Sequence, residues 1–119
     1  MKLICLGEQQ GEQENLQQEY KAASRLGEVR LGGSHLFYRY FIKVRYVSYG
    51  EIRRAYLREE SGESGEFLLK EFYLMLEVHN GARHKLRMER EVYARAVLSY
   101  LQDNFPGIAI GIEKQHTIP

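Results

Sequence analysis

Four histidines, one cysteine and six serines are the residues of this chain that metal or nucleophilic chemistry would draw on. His35, His79, His84 and His116 include no two spaced to share one helical face, and Cys5 adds no thiolate pair. A zinc or transition-metal site takes three or four such ligands, so the sequence predicts no metal centre. None of Ser24, Ser34, Ser48, Ser61, Ser64 and Ser99 stands in a Gly-x-Ser-x-Gly turn, and no histidine lies near Cys5 in sequence. Gly32-Gly33 lacks the lysine and helix of a phosphate loop and reads as a turn. The glutamates of residues 60–66 sit among serine and glycine, where solvent keeps a carboxylate ordinary. The expectation is therefore no catalytic residues, no cofactor and no enzyme.

The chemistry the chain does offer is cationic and aromatic. Arg39, Lys43 and Arg45 alternate with Phe37 and Phe41 and are expected on one strand face, with Arg53, Arg54 and Arg58 on the next strand. These eight residues form the candidate binding site. Six cations could attract an anionic lipid surface at about 1 kcal/mol for each one that faces it. Interleaved aromatics and arginines could also hold single-stranded RNA. The glycine-phenylalanine signature of RNA-recognition domains is absent, and helices do not alternate with strands, so nucleic acid ranks third.

Charge is polarised along the chain. The formal total is only +1, which argues against a dedicated polyanion binder. Residues 27–58 carry seven Arg/Lys against two Glu, a net of +5, while residues 59–77 carry six Glu against Lys70, a net of −5. Nine tyrosines and no tryptophan supply rings with polar tips, suited to half-buried strands and to binding surfaces. At 119 residues and 44% hydrophobic content one domain with one core is expected. A single cysteine, no apolar run of membrane-spanning length and an N-terminal apolar stretch too short for a signal peptide predict a cytoplasmic location.

The elements that must position these residues are legible as periodicities. Residues 2–6 suggest a short strand. Leu16, Tyr20, Ala23 and Leu26 recur at spacings of four and three, predicting a helix over Glu12–Arg25 that Gly27 ends. Strands are expected at Glu28–Leu31, across His35–Ser48 with a bend or tight turn near Phe41-Ile42, and at Ile52–Arg58. The acidic segment from Glu60 to Glu66 reads as a loop, the best place for disorder or insertion. Phe67–Val78 alternates again, and Asn80-Gly81 signals a hairpin. A two-residue turn there would set Leu76 against Lys85. A three-residue loop of His79-Asn80-Gly81 instead sets Leu76 against His84, Leu74 against Leu86, Phe72 against Met88 and Glu77 against Arg83. Partners must share a face, so the three-residue loop with positive φ at Gly81 is expected. Ala94, Val97, Leu98, Leu101 and Phe105 form the apolar stripe of a helix over Glu89–Asn104, stopped by Pro106-Gly107. A last short strand is expected at Ile108–Ile112, then a tail over residues 113–119.

Strands closed by one amphipathic C-terminal helix resemble the pleckstrin-homology-like fold. Gly27-Glu28-Val29-Arg30-Leu31-Gly32, Leu36-Phe37-Tyr38-Arg39 and Tyr49-Gly50-Glu51-Ile52 are similar to segments of uncharacterised Gram-positive bacterial proteins of this fold. The resemblance covers about residues 1–112 and implies an α+β domain: a bent antiparallel barrel or sandwich of about seven strands, capped by the C-terminal helix, with an extra N-terminal helix. It places a strand–helix extension in residues 1–26 and the barrel with its helix in residues 27–112. In pleckstrin-homology domains that bind inositol phosphates, a basic residue and Lys-x-Arg lie on the first two strands. Lys43-Val44-Arg45 is similar in form but falls one strand later. The leading functional expectation is a non-catalytic interaction module that binds a protein, a peptide or itself through a sheet edge or face. The alternative is an anionic ligand or membrane surface held by the basic strands of residues 39–58.

Overall fold

The computed structural model describes residues 1–64 and 67–112, and for these the fold is α+β. The elements run β1 (Leu3–Cys5), α1 (Gln13–Ala22), β2 (Ser24–Leu26), β3 (Val29–Leu31), β4 (His35–Tyr40), β5 (Lys43–Ser48), β6 (Ile52–Ser64), β7 (Phe67–Val78), β8 (Arg83–Met88), α2 (Glu91–Asn104) and β9 (Ala109–Ile112). They build two sheets, ordered β1-β5-β4-β3-β2 and β8-β7-β6-β9. No barrel closes among the described residues: the arrangement is sandwich-like. β2–β5 and β6–β8 form two antiparallel meanders, while β1 joins β5 and β9 joins β6 in parallel. No helix of the described residues is long and apolar enough to cross a membrane.

The main core lies between the sheets and under α2. Val29, Leu36, Tyr38 and Val47 of the first sheet meet Ala55, Leu57, Leu74, Leu76 and Leu86 of the second. Ala94, Val97, Leu98 and Leu101 are buried, as their spacing predicts, and complete this core from α2. The helix starts at Glu91 rather than Glu89, whose backbone N–H instead donates to Glu28 Oε2 at 2.8 Å.

The β7–β8 hairpin has the expected register. Leu76 faces His84, Leu74 faces Leu86, Phe72 faces Met88 and Glu77 faces Arg83. Val78 N–H donates to Ala82 O, Gly81 N–H donates to Val78 O, and Gly81 adopts φ +91°. His84 is half-buried with Nε2 at 2.9 Å from Leu6 O.

Two readings of the N-terminal half are corrected. The helix ends at Ala22, not Arg25, and Ser24–Leu26 forms β2 instead. Gly27, at φ +64°, is not a helix stop but the first residue of a two-residue turn joining β2 to β3, with Leu26 paired to Val29. The acidic segment is likewise no loop at its start: β6 carries Glu60 through Ser64 and pairs onward to Ser64–Phe67. The tail predicted at 113–119 lies outside the described residues.

α1 creates a second core on the outer face of the first sheet. Leu16 and Tyr20 are buried against Leu3, Phe37, Val44 and Tyr46. Docking is reinforced by polar contacts. Gln13 accepts from Leu3 N–H and donates to Leu3 O at 2.9 and 3.1 Å. Glu19 Oε2 accepts the N–H groups of Ser34 and His35, and its Oε1 lies 2.8 Å from His35 Nδ1. The segment between β1 and α1 closes over the buried Glu51, whose carboxylate accepts the N–H groups of Glu8 and Gln9 at 2.6 and 3.1 Å.

Candidate anion-binding face

The tight turn expected near Phe41-Ile42 exists, and it decides where the cations go. Tyr40 pairs with Lys43, so the connection is two residues long. Odd residues of β4 therefore face even residues of β5: Phe37 opposes Tyr46 and Arg39 opposes Val44. Lys43 and Arg45 instead oppose Tyr40 and Tyr38, on the other face. The expectation that Arg39, Lys43 and Arg45 share one face with Phe37 is thus overturned. An even loop inverts the alternation that a continuous strand would have kept.

The other candidate residues are dispersed as well. Phe37 is fully buried, its ring edge-on to Tyr20 at 5.4 Å, and presents no surface. Arg53 pairs with Glu77 at 3.2 Å and Arg58 with Glu60 at 3.4 Å. Arg54 lies over the Tyr56 ring, 4.5 Å from its centroid. The three β6 arginines therefore already have partners within their own sheet. Of the eight candidate residues, Arg39 and Phe41 are brought together, with Lys43 and Arg45 on the reverse side of the same hairpin.

What joins Arg39 is a pair of arginines that periodicity did not single out. β2 pairs with β3 so that Arg25 stands directly opposite Arg30, and Arg30 in turn opposes Phe37. Arg25, Arg30 and Arg39 thus share the α1 side of the sheet, on the portion that α1 leaves uncovered. They line a groove of about 220 Å³ with Tyr20, Gly27, Glu28 and Phe41. Arg30 lies 4.2 Å over the Tyr20 ring and donates to Tyr20 O at 3.3 Å, which fixes its guanidinium at the groove wall. Arg25 Nε donates to Gly27 O and Arg39 Nε to Phe41 O, so each arginine is braced on a turn carbonyl. None of the three has a carboxylate within ion-pair distance among the described residues. The one acid of the groove, Glu28, uses Oε2 on the Glu89 N–H.

A sequence signal for this pair did exist. Gly27-Glu28 is a glycine-first dipeptide between short segments, the form a two-residue hairpin takes, and that hairpin alone sets Arg25 against Arg30. The helical stripe running through Leu26 concealed it.

On the reverse side, Tyr38 and Tyr40 stack with centroids 6.5 Å apart, beside Lys43 and Arg45. The Tyr38 hydroxyl donates to Arg87 O at 2.7 Å. Burial, helped by Glu28 and Tyr40, pushes its pKa up to about 12, so it stays protonated across the physiological range. Among the described residues no three His, Cys, Asp or Glu side chains gather as metal ligands. The face offers guanidinium forks braced on turn carbonyls and flanked by aromatic rings, and the guanidinium N–H donors match the oxygens of an anion.

No curated protein and no solved structure matches this chain. A family model described as "Domain of unknown function (DUF6709)" matches residues 2–117, nearly the whole length, and the chain belongs to that family.

Proposed function

We propose that this domain is a non-catalytic binding module, pleckstrin-homology-like in its seven antiparallel strands and capping helix, and that its ligand is anionic. One observation carries the reading: Arg25, Arg30 and Arg39 converge on a groove and none of them has a carboxylate within ion-pair distance among the described residues, the groove's own Glu28 being engaged by the Glu89 N–H. Like charges set directly opposite on a sheet weaken it, and a bound anion offsets that repulsion. Guanidinium groups match phosphate and carboxylate oxygens in bidentate geometry.

Retention on phosphocellulose tests this. R25Q/R30Q/R39Q and R53Q/R54Q/R58Q lower the net charge equally. The first should elute at clearly lower salt than the wild type, the second close to it. Equal losses would reduce the effect to net charge and remove the site.

A different observation supports a protein, a peptide or a second copy as partner. β8 pairs with β7 only over Phe72–Glu77, and β9 pairs with β6 only over Arg54–Leu57. The remainder of the β6–β7 ribbon has open outer edges among the described residues, the template for strand addition. If copies pair there, light scattering should give a mass that rises with concentration, and Leu69→Lys should abolish the rise.

A further inference from the structure

Phe41 and Ile42 stand at the tip of the β4–β5 hairpin, 79% and 84% exposed. Among the described residues the other exposed large hydrophobic side chains are Tyr40, next to Phe41, and Met1, Ile4, Leu69 and Val92, none of which adjoins another in sequence. Phe41 also holds φ +56°, a left-handed conformation that side chains disfavour. The neighbouring β2–β3 hairpin has a turn of the same length and puts Gly27 in the corresponding position. Folding alone would favour glycine or asparagine at residue 41 and a polar side chain at residue 42. The tip therefore carries two apolar groups against both backbone and solvation preference.

Cations surround this tip on both sides of the sheet. Arg39 braces the Phe41 carbonyl at 3.0 Å, with Arg25 and Arg30 behind it across the groove. Lys43 and Arg45 occupy the reverse side with the exposed Tyr40, while Tyr38, stacked on it, is buried in the main core. None of these five cations has a carboxylate within ion-pair distance among the described residues. A narrow convex apolar tip set below a collar of positive charge is complementary to one environment in particular. A bilayer has an apolar interior a few ångströms beneath a plane of anionic headgroups, and tyrosine rings favour that boundary.

We propose that this hairpin is a membrane-docking wedge: Phe41 and Ile42 enter the headgroup–acyl boundary of an anionic bilayer while Arg39 and Lys43 meet phosphates on either side. The proposal rests on the anionic reading above and identifies its ligand as lipid.

Vesicle co-sedimentation tests it with phosphatidylcholine alone and with about a third phosphatidylglycerol. The wild type should bind only the anionic vesicles. F41N/I42S, in which asparagine tolerates the left-handed turn, should bind them roughly tenfold more weakly or worse. Ile42→Ser, which keeps the groove residue Phe41, should also bind them more weakly yet elute from phosphocellulose like the wild type. The chain has no tryptophan, so F41W supplies a single indole, which brominated lipids should quench in anionic vesicles. Full binding by F41N/I42S, or an unquenched indole in F41W, would overturn insertion. If phosphocellulose retention still depends on the three arginines, the anionic reading survives that result. If that dependence is missing, the anionic reading itself fails. Loss of a protein partner on F41N/I42S, with no vesicle binding by the wild type, would make the tip a protein contact and equally overturn the wedge.

Discussion

Tyr20 shows how one side chain can serve packing and site together while leaving a group unsatisfied. Its ring fills the space between α1 and the sheet and supports the Arg30 guanidinium. Its hydroxyl is buried without a hydrogen-bond partner among the described residues. A buried hydroxyl with no partner costs stability, whereas the ring contributes it. Tyr20→Phe should therefore leave the urea midpoint unchanged or raise stability by up to about 1 kcal/mol. A loss larger than that would show that the hydroxyl has a partner in solution. Glu51 is the opposite case: a buried carboxylate whose oxygens are matched by two backbone N–H groups, tying the chain before α1 to the 3₁₀ turn that follows β5.

Among the elements, α2 follows its sequence pattern most closely. Its apolar stripe meets both sheets, so one periodicity is sufficient to place it. Leu98→Ala should cost about 2–5 kcal/mol in denaturant unfolding, because the side chain is buried in a core that cannot fully collapse around the gap. A loss below about half a kcal/mol would mean the helix packs by another face. The β4–β5 hairpin behaves differently. Both faces of the first sheet are covered, one by the second sheet and one by α1, so apolar residues occur at odd and even positions alike. Its alternation could not say which face was inside.

In the whole molecule, cations of one sheet are paired with carboxylates while those of the other are left without them. Glu59, Glu60, Glu71 and Glu77 pair with Lys70, Arg58, Lys85, Arg87, Arg53 and Arg83 of β6–β8. The first sheet keeps Arg25, Arg30, Arg39, Lys43 and Arg45 without such partners among the described residues, which is where the polarity of the sequence becomes a surface. The two sheets are also tied by the Tyr38 hydroxyl on the Arg87 carbonyl. Burial raises that phenol from the ordinary 10.0 to about 12, so folding favours its neutral form. Its contribution is complete below pH 10 and is lost as pH rises through about 12. The hydrogen bond of Tyr73 to Glu71, with burial, pushes that phenol to about 12 and acts over the same window. Unfolding midpoints should be flat with respect to these groups up to about pH 9 and fall between about 10 and 12. Tyr38→Phe should flatten that fall, and an unchanged slope would contradict it.

The sequence by itself determined the local features: the register of β7–β8, the buried face of α2 and the position of the β4–β5 turn. Each rests on contacts close along the chain or on one unambiguous apolar face. Tertiary structure decided which cations act together. Loop length sets strand parity, so two residues at Phe41-Ile42 sent Lys43 and Arg45 to the face opposite Arg39. Residues 24–26 could continue a helix by composition, but their backbone pairs with β3 instead, and only that pairing brings Arg25 against Arg30. The groove is built from three strands whose side chains have no periodic relation in sequence, which is why hydrogen-bonded register, and not composition, assembled it.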